Sequence, residues 1–128
     1  MELAGFVAVG IGGALGCWLR WGLGLLLNPA FPNVPLGTLM ANLAGGLMMG
    51  CVMALFDHFR MLPPALRLFV FTGFLGGLTT FSTFSAEACT LLLRRRYRWF
   101  AAHVTVHLLG SLAMTAAGLL LTRRLLRW

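Results

Sequence analysis

The sequence predicts an all-α membrane protein with four spanning helices. Of its 128 residues, 59% are hydrophobic and 10% are charged, a balance far from that of a soluble domain. Four apolar windows, at about residues 3–27, 36–56, 68–93 and 99–122, reach the roughly 20 residues that a spanning helix requires. Short loops separate the windows, and little of the chain remains outside the membrane. We therefore expect a single four-helix transmembrane domain in a multi-pass membrane protein.

The first two windows carry small residues at close helical spacing, which lets helix backbones approach one another. These residues are Gly10, Gly12, Gly13 and Gly16 in the first window, and Gly37, Ala41, Gly45 and Gly46 in the second. The pattern predicts close helix packing. The first window follows Glu2 rather than a basic cluster, so we interpret it as a mature helix and not as a signal peptide.

Two polar residues in these windows allow a structural and a functional interpretation. Arg20, near the end of the first window, either extends to the membrane interface or raises the anion concentration at a pore mouth. Asn42 lies in the middle of the second window, where its amide needs both donor and acceptor partners. It either hydrogen-bonds a neighbouring helix or donates to a dehydrated anion. Thr38 adds a hydroxyl one turn earlier on the same face.

The third window contains the segment GFLGGLTTFSTFS at residues 73–85, which is unusual at membrane depth. Three glycines precede five hydroxyl side chains among the seven residues from Thr79 to Ser85. Each glycine costs a helix roughly 1 kcal/mol relative to alanine. We therefore expect the third helix to be broken between Gly76 and Thr80. Broken membrane helices expose carbonyls and amides that can bind a cation and an anion, so a transport function is the first hypothesis.

Phe81, Phe84 and Glu87 follow at intervals of three residues and share one helical face. The two phenylalanines, interleaved with Ser82 and Thr83, either pack as ordinary aromatics or point the positive edges of their rings at an anion. Glu87 is the only acidic residue within a predicted span. It is expected to pair with a donor or to be protonated.

His103, His107 and Ser111 form a polar stripe on the fourth window, each one turn from the next. The histidine spacing would suit a metal ion, but the sequence indicates no third ligand. Lining of a pore and hydrogen bonding between helices both remain open. A serine hydrolase would need a nucleophile motif and an acidic partner, which the sequence does not offer, so we expect no enzymatic activity.

The arginines predict the orientation of the chain in the membrane. The net charge of +7 would suggest nucleic-acid binding in a soluble protein, but here most arginines lie at helix ends and indicate topology instead. The side of both termini carries Arg60, Arg67, Arg123, Arg124 and Arg127, and the other side carries Arg94, Arg95, Arg96 and Arg98. A split of five against four hardly favours either orientation. We therefore expect dual topology and an antiparallel homodimer in the lipid bilayer, with no nucleic-acid partner.

Three segments resemble motifs of one known family. The segment GFLGGLTTFSTFSAE at residues 73–87 is similar to its third-helix motif, GTLMANLAGG at residues 37–46 to its second, and GGALGCWLRW at residues 12–21 to its first. The family is the CrcB/Fluc family of fluoride channels, whose chains match this one in length.

The resemblance implies an antiparallel homodimer with two fluoride pores, which exports cytoplasmic fluoride passively across a bacterial-type plasma (inner) membrane. It implies a structural sodium ion at the two-fold axis, held by the backbone carbonyls of Gly76 and Thr79. It further implies a fluoride path lined by Phe81, Phe84, Asn42, Thr38, Ser82, Thr83, Glu87 and Ser111, with Arg20 at its mouth. His103 and His107 stand where the family often has tyrosine and a small hydroxyl residue; because both retain hydrogen-bonding capacity, we expect them to line the fluoride path as well.

The main alternative is a small dual-topology four-helix exporter that couples drug efflux to protons. It matches in size and charge balance, but such exporters typically need an acid within the first span, and Glu2 lies before it. A membrane scaffold without transport activity is a third hypothesis, which would leave the hydroxyl run unexplained.

Overall fold

The computed structural model describes residues 2–127, and every regular element in that range is helical. Four segments are long and apolar enough to cross a membrane. The first span is the helix Leu3–Leu27, extended by a short 3-10 turn at Asn28–Ala30. The second is the helix Leu36–His58 and the fourth is Tyr97–Leu125. The third span, Pro64–Leu93, is interrupted within its length.

The third span consists of two half-helices joined by two extended residues. The first half contains an α-turn at Pro64–Arg67, a π-helical stretch at Leu68–Leu75 and an α-turn at Gly76–Leu78. It begins at Pro64, before the apolar window, because the fixed φ of proline suits the first helical position. Thr79 and Thr80 are extended, with ψ of 153° and 123°, and the second half is the helix Phe81–Leu93. The interruption lies within the stretch where the sequence predicts it.

The glycines of the third span are helical, so they do not themselves form the interruption. They allow close packing against the first span instead. A Cβ atom on Gly77 would lie 2.5 Å from the carbonyl oxygen of Gly13, and one on Gly73 would lie 3.0 Å from that of Val9. A Cβ on Gly16 would collide with the carbonyl of Phe74. The first and third spans therefore form a backbone-to-backbone pair that larger side chains would separate.

The second and fourth spans form a similar pair. A Cβ atom on Gly50 would collide with the carbonyl of Thr115, and one on Gly118 with the carbonyl of Leu47. The helix pairs also meet at their ends. On one side of the membrane the rings of Phe31 and Trp99 lie 5.5 Å apart, edge to face. Between the two pairs lies the polar region described below.

We predict that Gly16→Ala destabilises the protein by about 1–3 kcal/mol, because the added methyl group forces two packed backbones apart. Thermal unfolding of the purified protein in detergent measures this as a lower Tm. Gly10→Ala is the matched control, since a Cβ atom at Gly10 meets nothing within 4 Å. Equal Tm values for the two variants would contradict the packing described for Gly16.

Candidate ion pathway

Asn42 bonds both backbone groups of Thr80 at the interruption of the third span. The N–H of Thr80 donates to Asn42 Oδ1 at 2.8 Å, and Asn42 Nδ2 donates to the carbonyl of Thr80 at 3.0 Å. An unpaired backbone group at membrane depth costs several kcal/mol. The amide of Asn42 therefore satisfies both backbone groups of Thr80 and offsets the cost of an extended residue at this depth. We call these two hydrogen bonds the Asn42–Thr80 pair.

Thr80 also starts the second half-helix. Its Oγ1 accepts a hydrogen bond from the N–H of Thr83 at 3.1 Å, which is the usual bond of a threonine N-cap. Thr80 is not among the site residues predicted from the sequence. A threonine directly before the apolar-periodic stretch that begins at Phe81 is the signal that could have identified it as a cap.

The two bonds to Thr80 and Thr83 leave nearby carbonyls without their helical donors. In a continuous α-helix, the carbonyl of Gly76 would accept from the N–H of Thr80, and that of Thr79 from the N–H of Thr83. Both N–H groups donate to side chains instead. The carbonyl of Gly77 accepts from Arg20 Nε at 3.0 Å. Arg20 is therefore anchored at the interruption rather than extended freely to the interface.

Two cavities lie beside the interruption. The larger, about 390 Å³, is lined by Asn42, Thr79, Thr80, Phe81, Phe84, His107, Ser111 and Thr115 together with glycines and apolar residues. The second, about 300 Å³, is lined by Arg20, Trp21, Gly24, Leu25, Asn28, Thr38, Thr80 and Thr83. Thr80 contributes to both, so the Asn42–Thr80 pair marks the boundary between them. Both cavities are open at the surface of the single chain.

The two phenylalanines occupy different environments. Their ring centroids lie 5.5 Å apart with the planes tilted by 54°. Phe84 contacts His103 at 5.2 Å in a stacked arrangement and His107 at 4.8 Å. The side chain of Phe81, by contrast, is 78% exposed. Phe84 thus belongs to the polar region inside the chain, whereas Phe81 lies at its surface.

Glu87 and the two histidines form a buried cluster beside the larger cavity. Thr38 Oγ1 donates to Glu87 Oε1 at 2.6 Å, and Glu87 Oε2 lies 3.4 Å from His103 Nε2 without the alignment of a hydrogen bond. The rings of His103 and His107 are 4.5 Å apart. Asn42 Nδ2 lies 3.1 Å from His107 Nδ1. Asn42 therefore links the interruption to this cluster.

The structure brings most, but not all, of the predicted pathway residues to the cavities. Asn42, Phe81, Phe84, His107 and Ser111 line the larger cavity, and Arg20, Thr38 and Thr83 line the smaller. Glu87 and His103 line neither of these two, and His103 is fully buried. Ser82 also lines neither; its exposed side chain lies 3.3 Å from the hydroxyl of Thr80.

Comparison with known proteins gives the family. A family model described as "CrcB-like protein, Camphor Resistance (CrcB)" matches residues 7–119, which is most of the chain. The chain belongs to the CrcB family. Curated CrcB relatives include the "Fluoride-specific ion channel FluC" of Nitrosospira multiformis, 57% identical over 94% of both chains. The protein of the same name from Aromatoleum aromaticum is 56% identical over 91% of this chain and 89% of its own. That of Pseudomonas putida is 52% identical over 91% and 92%.

We predict that Asn42→Leu lowers the free energy of unfolding of this CrcB protein by about 1–3 kcal/mol, since Thr80 loses partners for its N–H and carbonyl. The measurement is the Tm in detergent. Asn33→Leu is the control, because it removes a partly exposed asparagine whose amide oxygen accepts from Arg96 in a loop contact. Its effect should stay within about 0.5 kcal/mol. A loss no larger for Asn42→Leu than for the control would refute the role of the Asn42–Thr80 pair.

Proposed function

We propose that this chain is a fluoride-selective ion channel that lets cytoplasmic fluoride leave the cell down its electrochemical gradient. The CrcB family and the name shared by relatives at 52–57% identity support the ion. The observation that carries a pathway through this chain is the interrupted third span, with cavities that contain polar side chains on either side of the Asn42–Thr80 pair. Fluoride export would lower cellular fluoride and give resistance to it, across the bacterial inner membrane.

The path that we propose uses donors in sequence. Fluoride is small and strongly hydrated, so a selective pore must replace its water with closely placed donors. The guanidinium of Arg20 and the hydroxyls of Thr38 and Thr83 would receive the ion in the smaller cavity. Asn42 would pass it to the larger cavity, where one amide N–H would turn from His107 to the ion. No step consumes energy, because the inside-negative potential drives the anion outward.

Aromatic rings would carry the ion through the larger cavity. A phenyl ring has a positive edge and a negative face, so ring edges stabilise an anion without a fixed charge that would hold it. Phe81 and Phe84 line this cavity together with Ser111. Ser82 extends the hydroxyl-rich surface at the start of the second half-helix. Glu87 and His103 lie behind the path and would act through Thr38 and Phe84 rather than by contact with fluoride.

A second copy in the opposite orientation would complete the path. Phe81 is 78% exposed and Gly76 is also exposed, although both lie at the interruption, in the middle of a span. The nearly even distribution of arginines favours insertion in both orientations. An antiparallel homodimer that crosses at the interruption would cover these residues and place two equivalent paths side by side.

A sodium ion at the two-fold axis fits the residues of this dimer. The carbonyls of Gly76 and Thr79 lack their helical N–H donors, which bond to Asn42 and to Thr80 Oγ1. Carbonyl oxygens are suitable ligands for a hard cation at a helix break. Two carbonyls from each copy would hold the ion, whose charge would stabilise the meeting of the two interruptions.

The proton-coupled exporter is less well supported. Within residues 2–127 the first span contains no acidic residue, and the acid in the third span accepts from Thr38 inside the helix bundle. The curated relatives are named as channels and not as exporters.

We predict that proteoliposomes containing the purified protein release fluoride, but not chloride, when a potassium ionophore sets the membrane potential. A fluoride electrode and a chloride electrode measure the two fluxes.

Phe81→Ile should reduce fluoride release at least about tenfold, since an aliphatic group offers no positive edge. Phe6→Ile, at a phenylalanine that is 65% exposed near the start of the first span, should leave fluoride release unchanged. Absence of fluoride release, or equal chloride release, would reject the channel; full activity of Phe81→Ile would reject only the role of that ring.

A further inference from the structure

The buried cluster of Glu87, His103 and His107 contains polar atoms without partners. Within residues 2–127, the buried side-chain atoms that lack a hydrogen bond are Glu87 Oε2, His103 Nδ1, His103 Nε2 and His107 Nε2. The two histidines are 0% and 4% exposed. An unsatisfied buried polar atom costs about 1–3 kcal/mol. All four atoms lie in one cluster, where Glu87 Oε2 and His103 Nε2 face each other at 3.4 Å, which makes this cluster the candidate for a ligand site.

The geometry of the cluster suits a metal ion. One ligand atom from each of the three residues can be chosen so that all lie within 4.8 Å of one another. Bonds of 2.0–2.1 Å in a tetrahedral zinc site place ligand atoms about 3.4 Å apart, so a small rotation of the side chains would bring these atoms into range. His103 and His107 are fixed one turn apart on a continuous helix. Glu87 approaches from the second half-helix of the third span.

The ligand atoms of the cluster indicate which class of metal ion it would bind. Two imidazole nitrogens and one carboxylate oxygen favour zinc and its transition-metal neighbours, whereas sodium, magnesium and calcium prefer oxygen ligands alone. This site is therefore separate from the carbonyl site at Gly76 and Thr79. Three protein ligands leave a fourth position open, as in zinc sites that bind an exchangeable ligand.

We propose that Glu87, His103 and His107 bind one zinc-class divalent ion per chain, and that this ion inhibits passage of the anion. The binding half stands on the geometry of the cluster alone. The inhibitory half rests on the proposed fluoride channel.

Inhibition follows from the contact between the cluster and the Asn42–Thr80 pair. Asn42 Nδ2 donates towards His107 Nδ1, so the proton of a neutral ring is on Nε2. If the metal ion binds His107 Nε2, the ring proton must move to Nδ1, where it would face the amide N–H of Asn42. If the metal ion binds His107 Nδ1, it displaces the amide of Asn42 directly. In either case Asn42 must reorient. The ion also leaves one net positive charge beside Glu87, which would hold fluoride in place rather than release it.

Metal binding is measured on the purified full chain in detergent. Titration with Co²⁺ should produce the visible absorption of a tetrahedral site, and Zn²⁺ should displace it at one ion per chain. His103→Tyr and His107→Ser introduce the residue types that similar family members often carry, so both variants are expected to fold. Each should weaken binding by at least about 100-fold. His58→Ala, which removes an exposed histidine at the end of the second span, should leave binding unchanged.

Absence of one-to-one binding by the wild-type chain would overturn the site. Binding by His103→Tyr and His107→Ser that is as tight as that of the wild type would also overturn it. In that case the cluster is a group of packed side chains that binds no metal ion. These readouts do not depend on transport, so failure of the fluoride channel would leave them interpretable.

Inhibition is measured as fluoride release from proteoliposomes with and without Zn²⁺. Zinc should slow release at least tenfold in the wild-type and His58→Ala proteins, and a chelator should restore it. The rate of His103→Tyr with zinc should equal its own rate without zinc. One-to-one binding with undiminished release would overturn the inhibitory half of the proposal and retain the site.

Discussion

The pairing of Asn42 with both backbone groups of Thr80 is the constraint on which the rest of this structure depends. Hydrocarbon offers no water to an extended residue, so a break in a spanning helix persists only where protein groups replace the missing hydrogen bonds. Asn42 supplies an acceptor and a donor from one side chain, at 2.8 and 3.0 Å. Because Thr80 is held extended, its hydroxyl can cap the helix that begins at Phe81, which fixes the direction of both phenyl rings.

The glycine contacts explain why Asn42 can reach the interruption. The first and third spans touch backbone to backbone at Gly16 and Gly77, and the second and fourth do so at Gly50 and Gly118. Polar groups of the second and third spans face each other between these two pairs. Thr38 and Asn42 on the second span bond to residues of the third, Glu87 and Thr80, across this space. Three of these four residues, Thr38, Asn42 and Thr80, also line the cavities of the proposed path.

Much of this arrangement could be predicted from the sequence. Apolar windows identified the spans because hydropathy depends only on local composition, and the glycines before the hydroxyl run predicted an interruption between Gly76 and Thr80. The glycines of the third span were partly misinterpreted: they cost helix stability locally, but the contacts that make them necessary come from Gly13 and Gly16, far away in the chain. A third metal ligand for His103 and His107 was not predicted from the sequence. Glu87 lies on a different span, and it comes close to the histidines only because of how the third and fourth spans pack against each other. The spacing of residues within one helix does not predict how that helix is oriented relative to its neighbour.

The central claim is that the interruption provides a passive path for fluoride alone, and the reversal potential of the current tests it most directly. With purified protein in a planar bilayer and a tenfold fluoride gradient, a fluoride-selective channel should reverse at about 59 mV. An added proton or chloride gradient should not move that value. A reversal potential that follows the proton or chloride gradient, or the absence of any fluoride current, would contradict the account.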